Sequence, residues 1–152
     1  MKKIYSTFTI CTSILLISCA QINKVIKPTE KTVVVPAAAP IGGSTWKLNY
    51  ISGPRITFEG LYPNKIPTIN FDTTKSIVTG NTGCNTFNGI YAIKGDSLHF
   101  KPLATTLMAC MDGGKGEQVF LNIIEKVSNY KLEKDTLWFK MGSVNMMRFI
   151  RQ

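Results

Sequence analysis

The chain has 152 residues, of which 44% are hydrophobic and 18% are charged, which fits one domain with a substantial core. The 18 Lys and Arg residues outnumber the 9 Asp and Glu residues, and the formal net charge is +9. Because these cations are scattered and are not interleaved with aromatic residues along the sequence, we expect no nucleic-acid partner but a solvated surface near anionic lipid or glycan.

The N-terminus has the layout of a secretory signal peptide over residues 1–18. Lys2 and Lys3 precede a mostly apolar run that ends at Ser18 and Cys19. The run is too short and too rich in Ser and Thr to cross a bilayer, which needs about 20 apolar residues. Its ending, Leu-Ile-Ser-Cys, resembles the bacterial lipobox, so we expect Cys19 to be acylated and to become the mature N-terminus. The alternative is an ordinary secretory signal with an incidental cysteine.

A lipid on Cys19 predicts attachment to a membrane of the cell envelope. Ala20 follows the cysteine, where no Asp is present to retain the protein at an inner membrane, so we expect the outer membrane, facing the periplasm. Residues 19–44 hold the lipidated cysteine and a segment rich in Pro, Ala and Lys, which is predicted to be a flexible tether. Residues 45–152 form the predicted folded domain, which we expect to be monomeric.

From Thr45 onward, apolar and polar side chains alternate with a period of two, which predicts strands. In chain order, the predicted strands are 46–50, 67–71, 75–80, 86–93, 97–101, 130–133, 136–141 and 145–150. Short turns rich in Gly, Asp and Thr separate several of them, as expected for hairpins.

One stretch, residues 115–129, breaks this alternation. An apolar helix face is formed there by residues at positions i, i+3, i+4 and i+7, namely Phe120, Ile123, Ile124 and Val127. Asp112 or Gly113 precedes the helix, and Glu117 lies in its first turn, where a carboxylate suits the helix dipole. Strands, one helix and further strands predict an α+β domain, in which a strongly curved, barrel-like antiparallel sheet of about eight strands packs against one α-helix.

Two cysteines remain in the predicted domain, since Cys11 leaves with the signal peptide and Cys19 carries the lipid. These are Cys84 and Cys110, and two thiols in an exported protein indicate one disulfide. Such a bond would stabilise the domain by roughly 3.5 kcal/mol through loop closure. Reduced, buried cysteines are the alternative, because sequence spacing does not give the geometry that a bond requires.

The sequence shows no arrangement of residues typical of catalysis or metal binding. His99, the only histidine, is expected to point outward from a strand. Asp96 and Asp135 fall in predicted hairpin turns, where Asp caps its own backbone. Residues 112–117 lack the spacing of a phosphate loop, and the hydroxyl groups of residues 105–106 have no nearby base. We therefore expect no enzyme activity, no cofactor and no metal site.

Several motifs occur in order along the predicted domain. They are GNTGCNTFNGIY at 80–91, LHF at 98–100, LATTLMAC at 103–110 and EQVF at 117–120. Over about residues 44–151, the chain thus resembles the META domain family of HslJ-like, heat-shock-inducible bacterial lipoproteins. The resemblance implies that the family's signature positions hold two loops together, and these positions are Gly83, Cys84, Asn85, Thr105, Met108 and Cys110.

The resemblance further implies an envelope protein linked loosely to stress and drug tolerance, without enzyme activity. We expect a non-catalytic binding or assembly module, whose partner is an envelope protein or a lipid. The alternative, implied by a likeness to pilot lipoproteins of secretion systems, is a carrier of a lipid tail or small apolar ligand. A cleft lined by Phe87, Tyr91, Phe120 or Met146 would favour the carrier, and a filled interior would favour the binding module.

Overall fold

The computed structural model describes residues 41–152, so the predicted signal peptide, Cys11, Cys19 and most of the tether lie outside the described residues. The described part contains nine strands and two helices. In chain order these are β1 (Thr45–Ile51), α1 (Phe58–Leu61), β2 (Thr68–Asp72), β3 (Ile77–Asn81), β4 (Thr86–Lys94), β5 (Ser97–Phe100), β6 (Ala104–Thr105), α2 (Lys115–Ile124), β7 (Asn129–Glu133), β8 (Thr136–Met141) and β9 (Val144–Arg151).

Eight strands close into an antiparallel barrel. Their order is β3-β2-β1-β9-β8-β7-β5-β4, and β4 pairs back onto β3. The ninth strand, β6, pairs with Phe87 and Asn88 of β4, before the part of β4 that pairs with β5. The predicted α+β class and the curved antiparallel sheet are confirmed, and the eight predicted strands correspond to the eight that form the barrel.

The interior of the barrel is filled by the apolar side chains that alternate along the strands. Trp46, Leu137 and Phe149, from three neighbouring strands, are all 0% exposed. Phe139 lies among other aromatic rings, with its centroid 4.9 Å from that of Phe149 and 5.5 Å from that of Phe100. Because each such side chain contributes about 1.5–3 kcal/mol on burial, this shared interior is the main source of stability.

Helix α2 packs on the barrel through the face that the sequence predicts. Phe120 is fully buried, and its ring centroid lies 5.6 Å from that of Phe87 in β4. The helix ends at Ile124, five residues earlier than predicted, because the chain then tightens into a turn in which Val127 N donates to the Ile124 carbonyl at 3.3 Å. This turn still places Val127 in the core, 3% exposed. Among the described residues, no helix has the length and apolar character needed to cross a membrane.

Helix α2 begins just after Asp112 and Gly113, the residues expected to precede it. The capping residue is Gly114, whose left-handed backbone (φ 71°) a residue with a side chain rarely adopts. Asp112, two residues before Gly114, stabilises the turn that leads into the helix, because its Oδ1 accepts a hydrogen bond from Gly114 N at 3.0 Å.

Two short elements are absent from the sequence prediction. Helix α1 has four residues, and its cap is Thr57, whose Oγ1 accepts a hydrogen bond from Gly60 N at 3.1 Å. Strand β6 has two residues. Neither element is long enough to show a hydrophobic period, and both depend on tertiary contacts.

The folded part begins before Thr45, within the segment predicted to be a tether. Ile41 is 0% exposed, and its carbonyl accepts a hydrogen bond from Trp46 Nε1 at 2.8 Å. The indole nitrogen of a buried Trp needs such a partner, so Ile41 is an integral part of the core.

Candidate functional site

The signature residues that follow β3 and β6 lie together beside the start of α2. The structure joins the two candidate cysteines, Cys84 and Cys110, in a disulfide with a Cα–Cα distance of 5.8 Å. The bond connects the short loop between β3 and β4 to residues 106–114, which we call the 106–114 loop. This loop runs from β6 to α2, and the disulfide attaches it at Cys110 to the loop between β3 and β4.

Asn85 holds the same two loops together by hydrogen bonds and is only 2% exposed. Its Nδ2 donates to the Met108 carbonyl at 3.2 Å and to Glu117 Oε1 at 3.0 Å. Its Oδ1 accepts from Met108 N at 2.8 Å and from Thr106 Oγ1 at 2.7 Å. Both donor hydrogens and both acceptor positions of the amide are thus used, which fixes the side chain in one orientation.

Glu117 has a larger role than the helix-dipole contact expected from the sequence. Its carboxylate accepts hydrogen bonds from Thr82 Oγ1, from Asn85 N at 3.1 Å and from Asn85 Nδ2. Thr82 is 0% exposed, and sequence reasoning gave it no role. The available signal was the position of Thr82 within the GNTGCN motif, two residues before Cys84.

Gly83 and Thr105 complete the signature positions. Gly83 has φ 98°, and a Cβ added there would lie 2.7 Å from the ring of Tyr62, so no other residue fits without a shift. Thr105 pairs with Phe87 through β6 and so places the start of the 106–114 loop against β4. Met108 joins the cluster through its backbone. Its N–H donates to Asn85 Oδ1, and its carbonyl accepts from Asn85 Nδ2.

With the disulfide formed, the cluster can stabilise the fold, and its polar groups are poorly placed for catalysis or metal binding. The ligand atoms of Cys84, Cys110 and Glu117 lie within 4.8 Å of one another, a spacing that could suit a metal ion. However, the two sulfur atoms are bonded to each other and carry no thiolate charge, which zinc sites require. The Thr82 hydroxyl donates to Glu117 in a fully buried position, where a substrate has no access.

The 106–114 loop presents apolar side chains to solvent. Leu107 is 96% exposed, Met111 is 93% exposed and Met108 is 59% exposed. A shallow groove of about 210 Å³ lies beside them, and Lys65 and Gly83 form part of its lining. Exposed apolar residues on a loop that a disulfide and Asn85 attach to the barrel are typical of a site that contacts another molecule.

The apolar cleft considered from the sequence is not present in the described part of the chain. Phe87, Tyr91 and Phe120 are 3%, 5% and 0% exposed, and Met146 packs against the core. A different cleft of about 460 Å³ lies outside the barrel, between α1 and the outer side of β1, and Phe58 is among its lining residues. Phe87, Tyr91 and Phe120 instead belong to the buried core.

The other polar residues considered from the sequence lie apart from the cluster. His99 is exposed, with its Nε2 3.1 Å from Ser97 Oγ. Asp96 is in the turn between β4 and β5, where its carbonyl accepts a hydrogen bond from Tyr130 N at 2.8 Å. Asp135 forms an ion pair with Arg151, at 3.0 Å from its Nε. Of these three contacts, only that of His99 with Ser97 places a possible base beside a hydroxyl, and the same hydroxyl lies 3.3 Å from the Ser128 carbonyl, to which it can donate.

Comparison with known proteins agrees with this architecture. One similar solved structure is an NMR structure of a protein from Burkholderia xenovorans, with 22% identity and a TM-score of 0.59, covering 74% of this chain and 83% of that one. Another is a crystal structure of a DUF4847 family protein from Bacteroides vulgatus, with 14% identity and a TM-score of 0.55, covering 73% of this chain and 94% of that one.

These likenesses show the fold alone. Comparison with curated protein sequences finds no significant match. The family model described as "META domain" matches residues 39–152, which include the whole barrel, α2, Ile41 and both bonded cysteines. The chain therefore belongs to the META domain family.

Proposed function

We propose that this META domain protein is a non-catalytic lipoprotein of the bacterial cell envelope, which binds or assembles with an envelope protein through the 106–114 loop. The observation that carries the proposal is the exposure of Leu107 and Met111 on a loop whose ends are fixed by the disulfide and by Asn85. The filled interior also supports a surface-binding module over a carrier.

Rigid presentation of this loop favours binding. Leu107, Met108 and Met111 are solvent-exposed here, so a partner that covers them gains about 25 cal/mol for each Å² of apolar surface removed from water. Because the loop is already ordered, little conformational entropy is lost when it is covered. Methionine side chains are flexible and adapt to an irregular partner surface.

A test of the binding surface places a photo-crosslinking amino acid at Leu107 in cells. We expect a discrete adduct with one envelope protein, which mass spectrometry identifies and which Met111→Gln weakens. The matched control carries the same amino acid at Val144, which is 51% exposed in the hairpin between β8 and β9. The proposal is wrong if Leu107 gives no adduct, or if both positions give the same adducts.

The anchor is tested separately with Cys19→Ser. We expect the parent protein to fractionate with the outer membrane and the variant to be soluble or unprocessed, because a multi-acyl anchor holds through about 0.8 kcal/mol for each buried methylene. A variant that still partitions into detergent like the parent would contradict lipidation.

A role in stress or drug tolerance belongs to the same proposal, and a deletion strain grown under heat or antibiotic stress tests it.

The cleft of about 460 Å³ supports a second candidate function, in which the protein carries a lipid tail or small apolar ligand as pilot-like lipoproteins do. Its lining combines apolar Phe58 and Ile66 with polar Lys47 and Glu59. Binding of a fluorescent fatty acid that Ile66→Asp abolishes would favour the carrier. Lack of binding would leave the surface-binding proposal in place.

A further inference from the structure

Four side chains form a row across the outer face of β7, β8, β9 and β1. In the strand registers, Lys131 lies opposite Trp138, Trp138 opposite Arg148, and Arg148 opposite Tyr50. The row therefore alternates between cation and aromatic ring, although its four members are far apart in the sequence. The interleaving of cations with aromatics that is absent along the chain is thus present across the sheet.

Arg148 is held in a fixed orientation within this row. Its guanidinium carbon lies 5.2 Å from the ring centroid of Trp138 and 5.9 Å from that of Tyr50. Its Nε donates to Asn49 Oδ1 at 2.9 Å. Within residues 41–152, neither ion pair includes Arg148, so its two terminal nitrogens are available for the paired hydrogen bonds that a carboxylate accepts.

The surroundings of the row are positively charged. Lys140 and Lys47 lie in the outward-facing rows on either side of it, as the pairings of Lys140 with Asn129 and of Lys47 with Ile150 show. Glu133, a carboxylate on the same face, is 2.6 Å from Lys131 Nζ. The face therefore keeps an excess of cations, and it spans about 14 Å across four strands that are each about 4.8 Å apart.

From this arrangement we propose that the outer face of β7, β8, β9 and β1 binds a linear polysaccharide whose sugars carry carboxylate groups. Arg148 holds one carboxylate through its two terminal nitrogens, and Lys47 and Lys140 attract the neighbouring charges, whereas Lys131 is already paired with Glu133. Tyr50, which is 41% exposed, offers an apolar ring face to the C–H groups of a sugar. This site goes beyond the proposed function, because β9 lies opposite β4 in the barrel order, away from the 106–114 loop.

The geometry favours a glycan over the other anionic polymers of a cell. Arg148 lies over the ring of Trp138, with its guanidinium carbon 5.2 Å from the ring centroid, and the exposed ring of the row, Tyr50, carries a hydroxyl, so the row lacks the purely apolar side chain that inserts into a bilayer. The same contact places Arg148 against the indole ring, where it competes with the stacking of a nucleic-acid base. A chain of sugar acids requires only spaced cations and partial ring faces, and the row supplies both.

The test titrates polygalacturonate into the full chain carrying Cys19→Ser, which removes the anchor, with neutral dextran of the same length as the control ligand. We expect saturable binding of polygalacturonate, weakened by added salt, and no binding of dextran. Arg148→Gln and Arg148→Lys should each weaken binding at least about tenfold, because lysine keeps the charge but cannot form the paired hydrogen bonds. Lys94→Gln, on β4, removes one charge from the opposite wall and should leave the affinity within about twofold.

Circular dichroism establishes that each variant is folded, which is expected for substitutions on the outer wall. Equal losses in Arg148→Gln and Lys94→Gln, or full binding by Arg148→Lys, would show diffuse attraction and overturn the site. Equal binding of dextran, or no binding of polygalacturonate, would overturn it as well. Tighter binding of phosphatidylglycerol vesicles or of oligothymidine would assign the face to a membrane or a nucleic acid instead.

Discussion

The side chain of Asn85 accounts for much of the order around the disulfide. It forms hydrogen bonds with Thr106 and the backbone of Met108 in the 106–114 loop, and with Glu117 in α2. A buried amide with all four positions paired is stable in one orientation and is unfavourable in others. One residue thereby connects β4, the loop and the helix.

Asn85→Ala should lower the free energy of unfolding by about 2–4 kcal/mol, because the Met108 N–H and the Glu117 carboxylate lose a buried partner. Urea denaturation measures the loss. Asn88→Ala is the matched control, since Asn88 is exposed on β4, three residues after Asn85, and it should change the stability by less than about 0.5 kcal/mol. Equal effects of the two substitutions would contradict the role given to Asn85.

Tyr62 gives a prediction about alkaline pH. Burial raises its pKa well above the ordinary value of 10, and its hydroxyl donates to the Gly116 carbonyl at 3.0 Å. Above pH 10 the tyrosine loses its proton in the unfolded chain but keeps it in the folded one, so stability is full below pH 10 and falls as the pH rises. Tyr62→Phe should make this fall shallower, although it loses about 1 kcal/mol at neutral pH with the hydrogen bond.

Urea midpoints of the parent and of Tyr62→Phe, measured from pH 7 to 11, check this prediction. An identical decline in both proteins would mean that Tyr62 ionises equally in the folded and unfolded states. Burial also raises the pKa of Tyr91 and Tyr130, so a part of the decline should remain in the variant.

At the scale of elements, α2 is a packed part of the core. Ile124 is 1% exposed and Phe120 is 0% exposed, whereas Gln118 on the other side is exposed. Close contact extends to the backbone, because a Cβ at Gly116 would lie 2.5 Å from the Leu61 carbonyl oxygen. The helix is thus held by Tyr62, next to α1, at Gly116 and by Phe87 of β4 at Phe120.

Ile124→Ala should lower the free energy of unfolding by about 2–5 kcal/mol, through lost burial and the cavity that remains. Gln118→Ala, at an exposed position of the same helix, is the control and should have an effect below about 0.5 kcal/mol. Thermal and urea unfolding both measure the difference. A small effect of Ile124→Ala would indicate that this face of α2 is open to a partner.

At the scale of the whole molecule, the disulfide constrains a large part of the chain. Cys84 and Cys110 are 26 residues apart, and the closed loop contains β4, β5 and β6. Among these strands is β4, whose pairing with β3 closes the barrel. The bond therefore restricts the unfolded chain in the region where closure brings distant strands together.

Replacing both Cys84 and Cys110 by Ser should lower the free energy of unfolding by roughly 3.5 kcal/mol without affecting export or anchoring. A reductant should destabilise the parent by a similar amount and leave the double variant unchanged, which is the internal control. The prediction is wrong if both thiols of the purified, non-reduced parent react with a labelling reagent.

The sequence by itself determined the local elements of this protein. The period of two in β8 and the apolar face of α2 depend on neighbours within the same segment, so they are readable without a structure. The succession of eight strands along the chain, with one helix after the fifth of them, also followed from the sequence. The family followed as well, because the GNTGCN and LATTLMAC motifs are specific and occur in order.

Only the tertiary structure decided which distant residues meet. Closure of β4 onto β3, the burial of Ile41 beside Trp46 and the bonds of Thr82 to Glu117 all join segments that show no pattern in common. The outward-facing row through Arg148 likewise exists because the inward-facing side chains fix the register of four strands. In a barrel, packing of the interior sets that register, and the register in turn determines which side chains are neighbours on the outer surface.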